Sequence, residues 1–326
     1  MTGPNGAGKT NLLESVHVGT QGFSPRTRSD AQLLRFGESE GRIALHGARG
    51  ESALAIELTL RTDQGKRATL NGAHLRAAEQ LRHEVATLVF TPDRLSVVKG
   101  APSVRRAYFD RTVGRLFPAR ATLSVEYRGA VAQRNAALRR IAAGFSTREA
   151  LEPWTSTVAD LGAALVEARA EVLALLAPAF AESAEQLGLP AARLEYEGDA
   201  PTVAALEAAT ARDVERGTTS VGPHLHDVRI VSGGRDLRSY GSQGEQRVTV
   251  LSLLLAESEL IEERRGTPPL LLLDDVLSEL DPTRRHALAE RVRTGGQTLI
   301  TSTTAVALPI EPDQLLEVSP GEVRAA

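Results

Sequence analysis

The sequence predicts an α/β protein of two lobes, one of them assembled from both ends of the chain. Three observations predict it. A glycine-rich loop with a lysine stands at the N-terminus, from Gly3 to Thr10. An apolar run closed by two carboxylates, Pro269 to Asp275, stands near the other end, and a long stretch of helical periodicity separates the two. At 326 residues the chain is longer than one ordinary domain, and its 42 % hydrophobic content is enough for a sizeable core. No apolar stretch approaches the length of a membrane span. MTGPNGAGKT lacks the basic and apolar regions of a secretory leader. The chain has no cysteine, which excludes disulfides, thiolate metal sites and cysteine nucleophiles. A cytoplasmic protein without a membrane partner is the expectation.

The N-terminal loop comes first. Gly3-Pro4-Asn5-Gly6-Ala7-Gly8-Lys9-Thr10 fits G-x-x-x-x-G-K-[ST]. A chance match in this composition has a frequency of roughly 0.3 %, so an incidental glycine turn is the weaker reading. Glycines let backbone N–H groups turn inward around phosphates. Lys9 is expected to reach the β- and γ-phosphates of ATP, and the Thr10 hydroxyl to coordinate Mg²⁺. Asn11 and the residues after it continue as a helix whose positive end faces the phosphates. Only Met1 and Thr2 precede Gly3, so the buried strand that normally fixes such a loop is not in this sequence.

The C-terminal part supplies the partner. Leu270 to Leu273 reads as a strand buried on both faces of a parallel sheet. Asp274 at its end is the expected Walker B ligand of Mg²⁺, and Asp275 is placed to orient or deprotonate an attacking water. A helix cap is the lesser alternative for this pair. Upstream, Tyr240 to Gln246 precede a helical run from Val248 to Glu263. Ser242, Gly244 and Gln246 there form a candidate signature, a second anion-ready helix terminus. The alternative is an ordinary Ser N-cap with Glu245 at N3. Ser278-Glu279-Leu280-Asp281 stands where a D-loop would face an opposite subunit. Thr298 to Ile300 reads as a further strand, and the following Thr301-Ser302-Thr303-Thr304 cluster either senses the γ-phosphate or simply ends that strand.

The resulting order is Walker A, long insertion, signature, Walker B, D-loop, switch strand. It is the order of an ABC-type P-loop ATPase head, in which two heads sandwich two ATP molecules. The predicted protein is therefore an ATP-dependent homodimer. Lobe I is expected over 1–97 and 248–326, and a helical lobe II over 98–247, ending at the signature.

Within the insertion, residues 40 to 97 look β-rich. Leu54, Ile56, Leu58 and Leu60 alternate, and Asn71-Gly72 is a hairpin signal. Residues 103 to 215 look helical. Leu123, Tyr127, Val131, Leu138 and Ile141 mark one stripe; Val158, Leu161, Leu165, Val172 and Leu176 mark another. Charge is divided: residues 99 to 148 hold eleven Lys/Arg against two acids, and 149 to 215 hold thirteen Asp/Glu against three Arg. A polyanion-binding face beside an acidic one and two mutually compensating helical hairpins are equally good readings of that division.

The sequence resembles the RecF family, bacterial recombination-mediator ATPases related to SMC proteins. The resemblance rests on GPNGAGKTNLLES, TPDRLSVVKGAPSVRRAYFD (Thr91 to Asp110), EYRGAVAQRN (Glu126 to Asn135), TSVGPH (Thr219 to His224), GSQGEQR (Gly241 to Arg247) and LLLLDDVLSELD (Leu270 to Asp281). It implies ATP- and DNA-dependent dimerisation, slow hydrolysis, and recognition of single-stranded, gapped or junction DNA. It further implies work with RecR and RecO to place RecA at gaps, in repair, replication and the SOS response. Three departures stand out. The family begins with a further β-rich segment, and a misassigned start codon would explain its absence here. The family's GPHRDD appears as Gly222-Pro223-His224-Leu225-His226-Asp227, and arginine replaces lysine almost throughout. His224 and His226 admit a metal reading, with no further ligand in view.

For DNA, Lys99, Arg105 and Arg106 are the foremost candidates, followed by Arg128, Arg134, Arg139 and Arg140, all suited to phosphate contacts. The alternative for Arg105 and Arg106 is pairing with carboxylates of the acidic lobe. Tyr108, Phe109 and Trp154 are better read as core than as base-stacking platforms. Two competing functions remain. A transporter ATPase subunit needs a short signature spacing and a membrane partner, against which the long basic insertion speaks. A catalytically impaired remnant that binds DNA or RecR without ATP is set against the intact Lys9, Ser242, Asp274 and Asp275.

Overall fold

The computed structural model describes residues 1–326 except 28, 279, 294 and 305–308, and the side chains at 79 and 83. The chain packs as two compact units, one formed by Met1–Arg94 with Ile261–Ala326, the other by Leu95–Leu260. The long helix that follows the signature therefore belongs mostly to the second unit, rather than to the first as the expected division at residue 247 has it.

The first unit is organised by a parallel sheet in the order Thr298–Ile300, Leu270–Leu273, Thr87–Phe90. Leu270–Leu273 is its central strand. Leu271, Leu272 and Leu273 are all buried, which is why the run is continuously apolar rather than alternating. The helix Lys9–Gln21 packs on this sheet through Leu13, which touches Val89 and Leu272. Met1 and Thr2 lie within the sheet. Thr2 bridges in parallel to Ser302 on one side and Glu317 on the other, with its N–H on Leu316 O at 2.8 Å and its carbonyl accepting from Val318 N at 2.7 Å. These two residues tie the loop that follows to the switch strand and to the hairpin Leu316–Ser319/Glu322–Ala325.

A second, antiparallel sheet joins Glu40–Arg49, Ser52–Arg61, Gly65–Leu70 and Ala73–His74 in sequence order. Ile56, Leu58 and Leu60 bury one face against Val18 and Leu81, while Glu57 and Thr59 stay half-exposed on the other. At the hairpin, Asn71 and Gly72 both take positive φ (48° and 82°), the primed geometry that matches strand twist. The Asn71 carboxamide oxygen accepts the Ala55 N–H at 2.7 Å, so the turn also grips the neighbouring strand.

The second unit is built on three helices, Pro102–Leu116, Leu123–Ala142 and Glu152–Gln186. Both apolar stripes read from the sequence are its core: Tyr127 and Val131 pack with Val158, Leu165 and Leu206. The insertion is not wholly helical. Arg193–Glu197, Asp227–Ser232 and Arg235–Asp236 form a small antiparallel sheet. The helix Gln243–Arg265 follows it.

Candidate functional site

The loop before Lys9 is shaped by its glycines. At Gly3 a Cβ would stand 2.2 Å from the carbonyl oxygen of Val318, so no other residue fits between loop and hairpin. Gly8, at φ 102°, is the N-cap of Lys9–Gln21. Having no side chain, it leaves the first N–H groups of the helix facing outward, where the helix dipole favours an anion. The Lys9 ammonium curls over the loop and donates to Gly3 O at 2.6 Å and Pro4 O at 2.9 Å.

The sheet then brings the far end of the chain to this loop. Thr10 Oγ1 donates to the Asp274 carboxylate, 3.1 Å from Oδ1 and 3.0 Å from Oδ2. From the adjacent strand Thr301 Oγ1 donates to Asp274 Oδ1 at 2.7 Å and accepts the Asp275 N–H at 2.8 Å. Asp275 has φ 48°, a left-handed conformation uncommon for a residue with a side chain. The donor set of Thr10 and Asp274 consists of hard oxygens only, one hydroxyl and one carboxylate. That set suits Mg²⁺, which keeps most of its shell as water and phosphate oxygen. The glycine loop, the outward helix terminus and Lys9 likewise suit a polyphosphate.

At the signature, Ser242 Oγ accepts the Glu245 N–H at 3.2 Å and Glu245 Oε2 accepts the Ser242 N–H at 2.7 Å. This is a capping box, and it presents Ser242 at the exposed start of Gln243–Arg265. Gln246 needs a correction. It is buried, and its carboxamide donates to Gly241 O at 3.0 Å, so it braces the turn from behind instead of facing a nucleotide. In the segment from Ser278 to Asp281, Glu279 lies outside the described residues.

The family model described as the RecF/RecN/SMC N-terminal domain matches residues 1–323. A DNA replication and repair protein RecF from Heliobacterium modesticaldum is 36 % identical over 327 aligned residues, covering 96 % of this chain and 87 % of the relative. The chain belongs to the RecF family. A solved structure of the recombination mediator protein RecF with ATP, of the RecFOR pathway, superposes with a TM-score of 0.85 at 27 % identity, over 100 % of this chain and 90 % of that one. An SMC head bound to the C-terminal winged-helix domain of ScpA shares the fold, with a TM-score of 0.58 at 15 % identity over 100 % and 88 % of the two chains. The fold is thus the ABC-type ATPase head shared by RecF and SMC proteins, with the helical insertion predicted from motif order.

Within this RecF-family head the seven cations singled out for DNA divide sharply. Lys99, Arg128, Arg139 and Arg140 are exposed, and Arg106 is half-buried with its guanidinium on His226 O at 2.5 Å. Arg128 and Arg139 stand about three turns apart on one face of Leu123–Ala142. Arg134 and Arg105, both expected at DNA, are instead buried in ion pairs. Arg134 is fully buried and donates to Asp213 Oδ2 at 2.7 Å, Thr219 Oγ1 at 2.9 Å and Leu206 O at 3.2 Å. Arg105 is buried against both oxygens of Asp227, at 2.8 and 2.5 Å, and against the carbonyls of Val98 and Gly100. Neither guanidinium is presented to a nucleic acid. Helical arithmetic contained the signal, because 127, 131, 134 and 138 share one face, as do 105, 109, 112 and 116. Tyr108 and Phe109 are core.

The histidines also find ordinary partners. His224 Nδ1 meets the Tyr127 hydroxyl at 2.7 Å and its Nε2 meets Thr219 O at 3.0 Å; His226 Nδ1 meets the Tyr196 hydroxyl at 3.0 Å. Burial lowers the pKa of both. Among the described residues no cluster of three or more His, Asp or Glu could hold a metal. Thr301, which the sequence leaves between a γ-phosphate sensor and a plain strand end, is buried against Asp274 and Asp275.

Proposed function

We propose that this chain is an ATP-driven head for DNA replication and recombinational repair, which dimerises on ATP, binds single-stranded, gapped or junction DNA, and hydrolyses ATP slowly to time its release. The observation that carries the reading is the Thr10–Asp274 pair, which joins two motifs 264 residues apart at one helix terminus. Gly3 to Asn11 would cradle the phosphates, and Lys9 would neutralise charge on the transferred phosphoryl group. Thr10 and Asp274 would hold Mg²⁺, which when bound offsets phosphate charge. Asp275 would take a proton from the attacking water as that water's oxygen bonds to the γ-phosphorus and the bond to the β,γ-bridging oxygen breaks, so that ADP leaves with that oxygen and its electron pair. Ser242 and Gly244 of one copy would complete the site of a second, which makes the homodimer the catalytic unit.

Lys99, Arg106, Arg128, Arg139 and Arg140 would neutralise DNA phosphates, so that binding is steeply salt-dependent and largely blind to sequence. The related ATP-bound RecF belongs to the RecFOR pathway, which supports a pathway shared with RecR and RecO here and, with it, loading of RecA at gaps. The experiment is the mass in solution by light scattering, with and without ATP-Mg²⁺ and gapped DNA, for the wild type, Lys9→Ala and Asp275→Ala. An ATP-dependent dimer that is lost in Lys9→Ala and persists in Asp275→Ala is expected. A monomer in every condition would sink the reading.

A further inference from the structure

We propose that Thr301 is a positioning residue for the nucleotide site, its hydroxyl aiming the Asp274 carboxylate and fixing the backbone at Asp275. The inference rests on the reading of that site as an ATPase centre. Thr301 has no exposed surface, so it does not reach a bound nucleotide itself. Its hydroxyl touches both carboxylate-bearing residues: it donates to Asp274 Oδ1 at 2.7 Å and accepts from the Asp275 N–H at 2.8 Å. The backbone prepares this placement. Thr298–Ile300 runs parallel to Leu270–Leu273, Ile300 lies opposite Leu273, and the Thr301 N–H donates to Leu273 O at 3.0 Å. One residue further along each strand, Thr301 therefore stands beside Asp274.

Two consequences follow from chemistry. A carboxylate shared between the Thr10 and Thr301 hydroxyls cannot rotate freely, so its lone pairs are set before a cation arrives. The positive φ of Asp275 is unfavourable by itself, and the hydrogen bond from its N–H to Thr301 holds it and so aims the Asp275 side chain. Thr301 thus supports both the Asp274 carboxylate and the candidate base from a fully buried position.

The test compares Thr301→Val, which keeps the shape and removes the hydroxyl, with Thr301→Ser, which keeps the hydroxyl. The readout is binding of a fluorescent ATP analogue in EDTA and across a Mg²⁺ titration, with melting temperature as a control. Thr301→Val should bind in EDTA as the wild type does but need roughly tenfold more Mg²⁺ for half-saturation, the scale on which supporting hydrogen bonds act. Thr301→Ser should stay near the wild type. An unchanged Mg²⁺ requirement in Thr301→Val, an equal loss in EDTA, or a serine variant as impaired as the valine one overturns the proposal. If the valine variant does not fold, Thr301→Ala takes its place under the same criteria. Lys9→Ala in parallel separates the two ideas: wild-type affinity there removes the ATPase reading itself, whereas its loss beside a normal Thr301→Val removes only the role of Thr301.

Discussion

Thr10 and Asp274 meet across 264 residues of sequence, the threonine hydroxyl lying 3.0 and 3.1 Å from the two carboxylate oxygens. Neither residue would be informative alone. The pairing places a hydroxyl and a carboxylate side by side at the N-terminus of the helix that starts at Lys9.

Replacement of Asp274 by Asn keeps the size of the side chain and removes its charge. Asp274→Asn should lower kcat for ATP by roughly 10²-fold or more, the scale of losing one preorganised electrostatic contact. Nucleotide binding measured in EDTA should be unaffected. Steady-state hydrolysis and equilibrium binding of the same preparation check both statements.

The pair Arg134–Asp213 should act on stability rather than on DNA. Both side chains are fully buried, and Arg134 is further satisfied by Thr219 and Leu206. Removing one partner strands a buried charge, so Arg134→Ala should cost about 3–5 kcal/mol. Exposed Arg128→Ala should stay within about 0.5 kcal/mol. Urea unfolding of the second unit's signal in the full chain measures the difference. A stable Arg134→Ala with weakened DNA binding would contradict the structural assignment.

Motif spacing made the ATPase half of the molecule legible, because phosphate chemistry dictates local residue order. The four leucines before Asp274 revealed a buried central strand, and Asn71-Gly72 revealed a hairpin, for reasons that act within a few residues. The arginines were harder. Charge invites a reading as surface, yet Arg105 and Arg134 occupy apolar helical stripes, and what decides their fate is a carboxylate over seventy positions away: Asp227 for one, Asp213 for the other. Thr301 was hidden for the same reason. Its role depends on which strand lies alongside, and strand order is not written in the strand itself.

His224 should make the protein acid-sensitive. Burial lowers its pKa below the ordinary 6.5; the hydrogen bond to the Thr219 carbonyl and the charge of Asp213 oppose that shift, and Arg106 and Arg134 add to it. The unfolded chain therefore takes up a proton near pH 6.5 that the folded chain refuses. Stability contributed by the neutral ring is complete above that value and is lost as pH falls below it. Unfolding free energy measured from about pH 7.5 down to about pH 5.5 should fall, and His224→Gln should flatten part of that slope, leaving the share of His226.

Salt dependence distinguishes surface arginines from buried ones. If Arg128, Arg139 and Arg140 each neutralise a phosphate, each alanine variant should lower the magnitude of the log K against log salt slope by roughly one unit. Weakening should be uniform across DNA sequences, since phosphates carry no base identity. Arg139 and Arg140 are adjacent and point some 100° apart around the helix, so one of the two contributing nothing would define the edge of the contact face. A variant at Arg105 provides the contrast. Its guanidinium holds Asp227 and the carbonyls of Val98 and Gly100, so its loss should disturb the turn that carries Lys99 and reduce affinity through folding. Binding titrations at several salt concentrations, on protein shown to be folded, separate a changed slope from a changed active fraction.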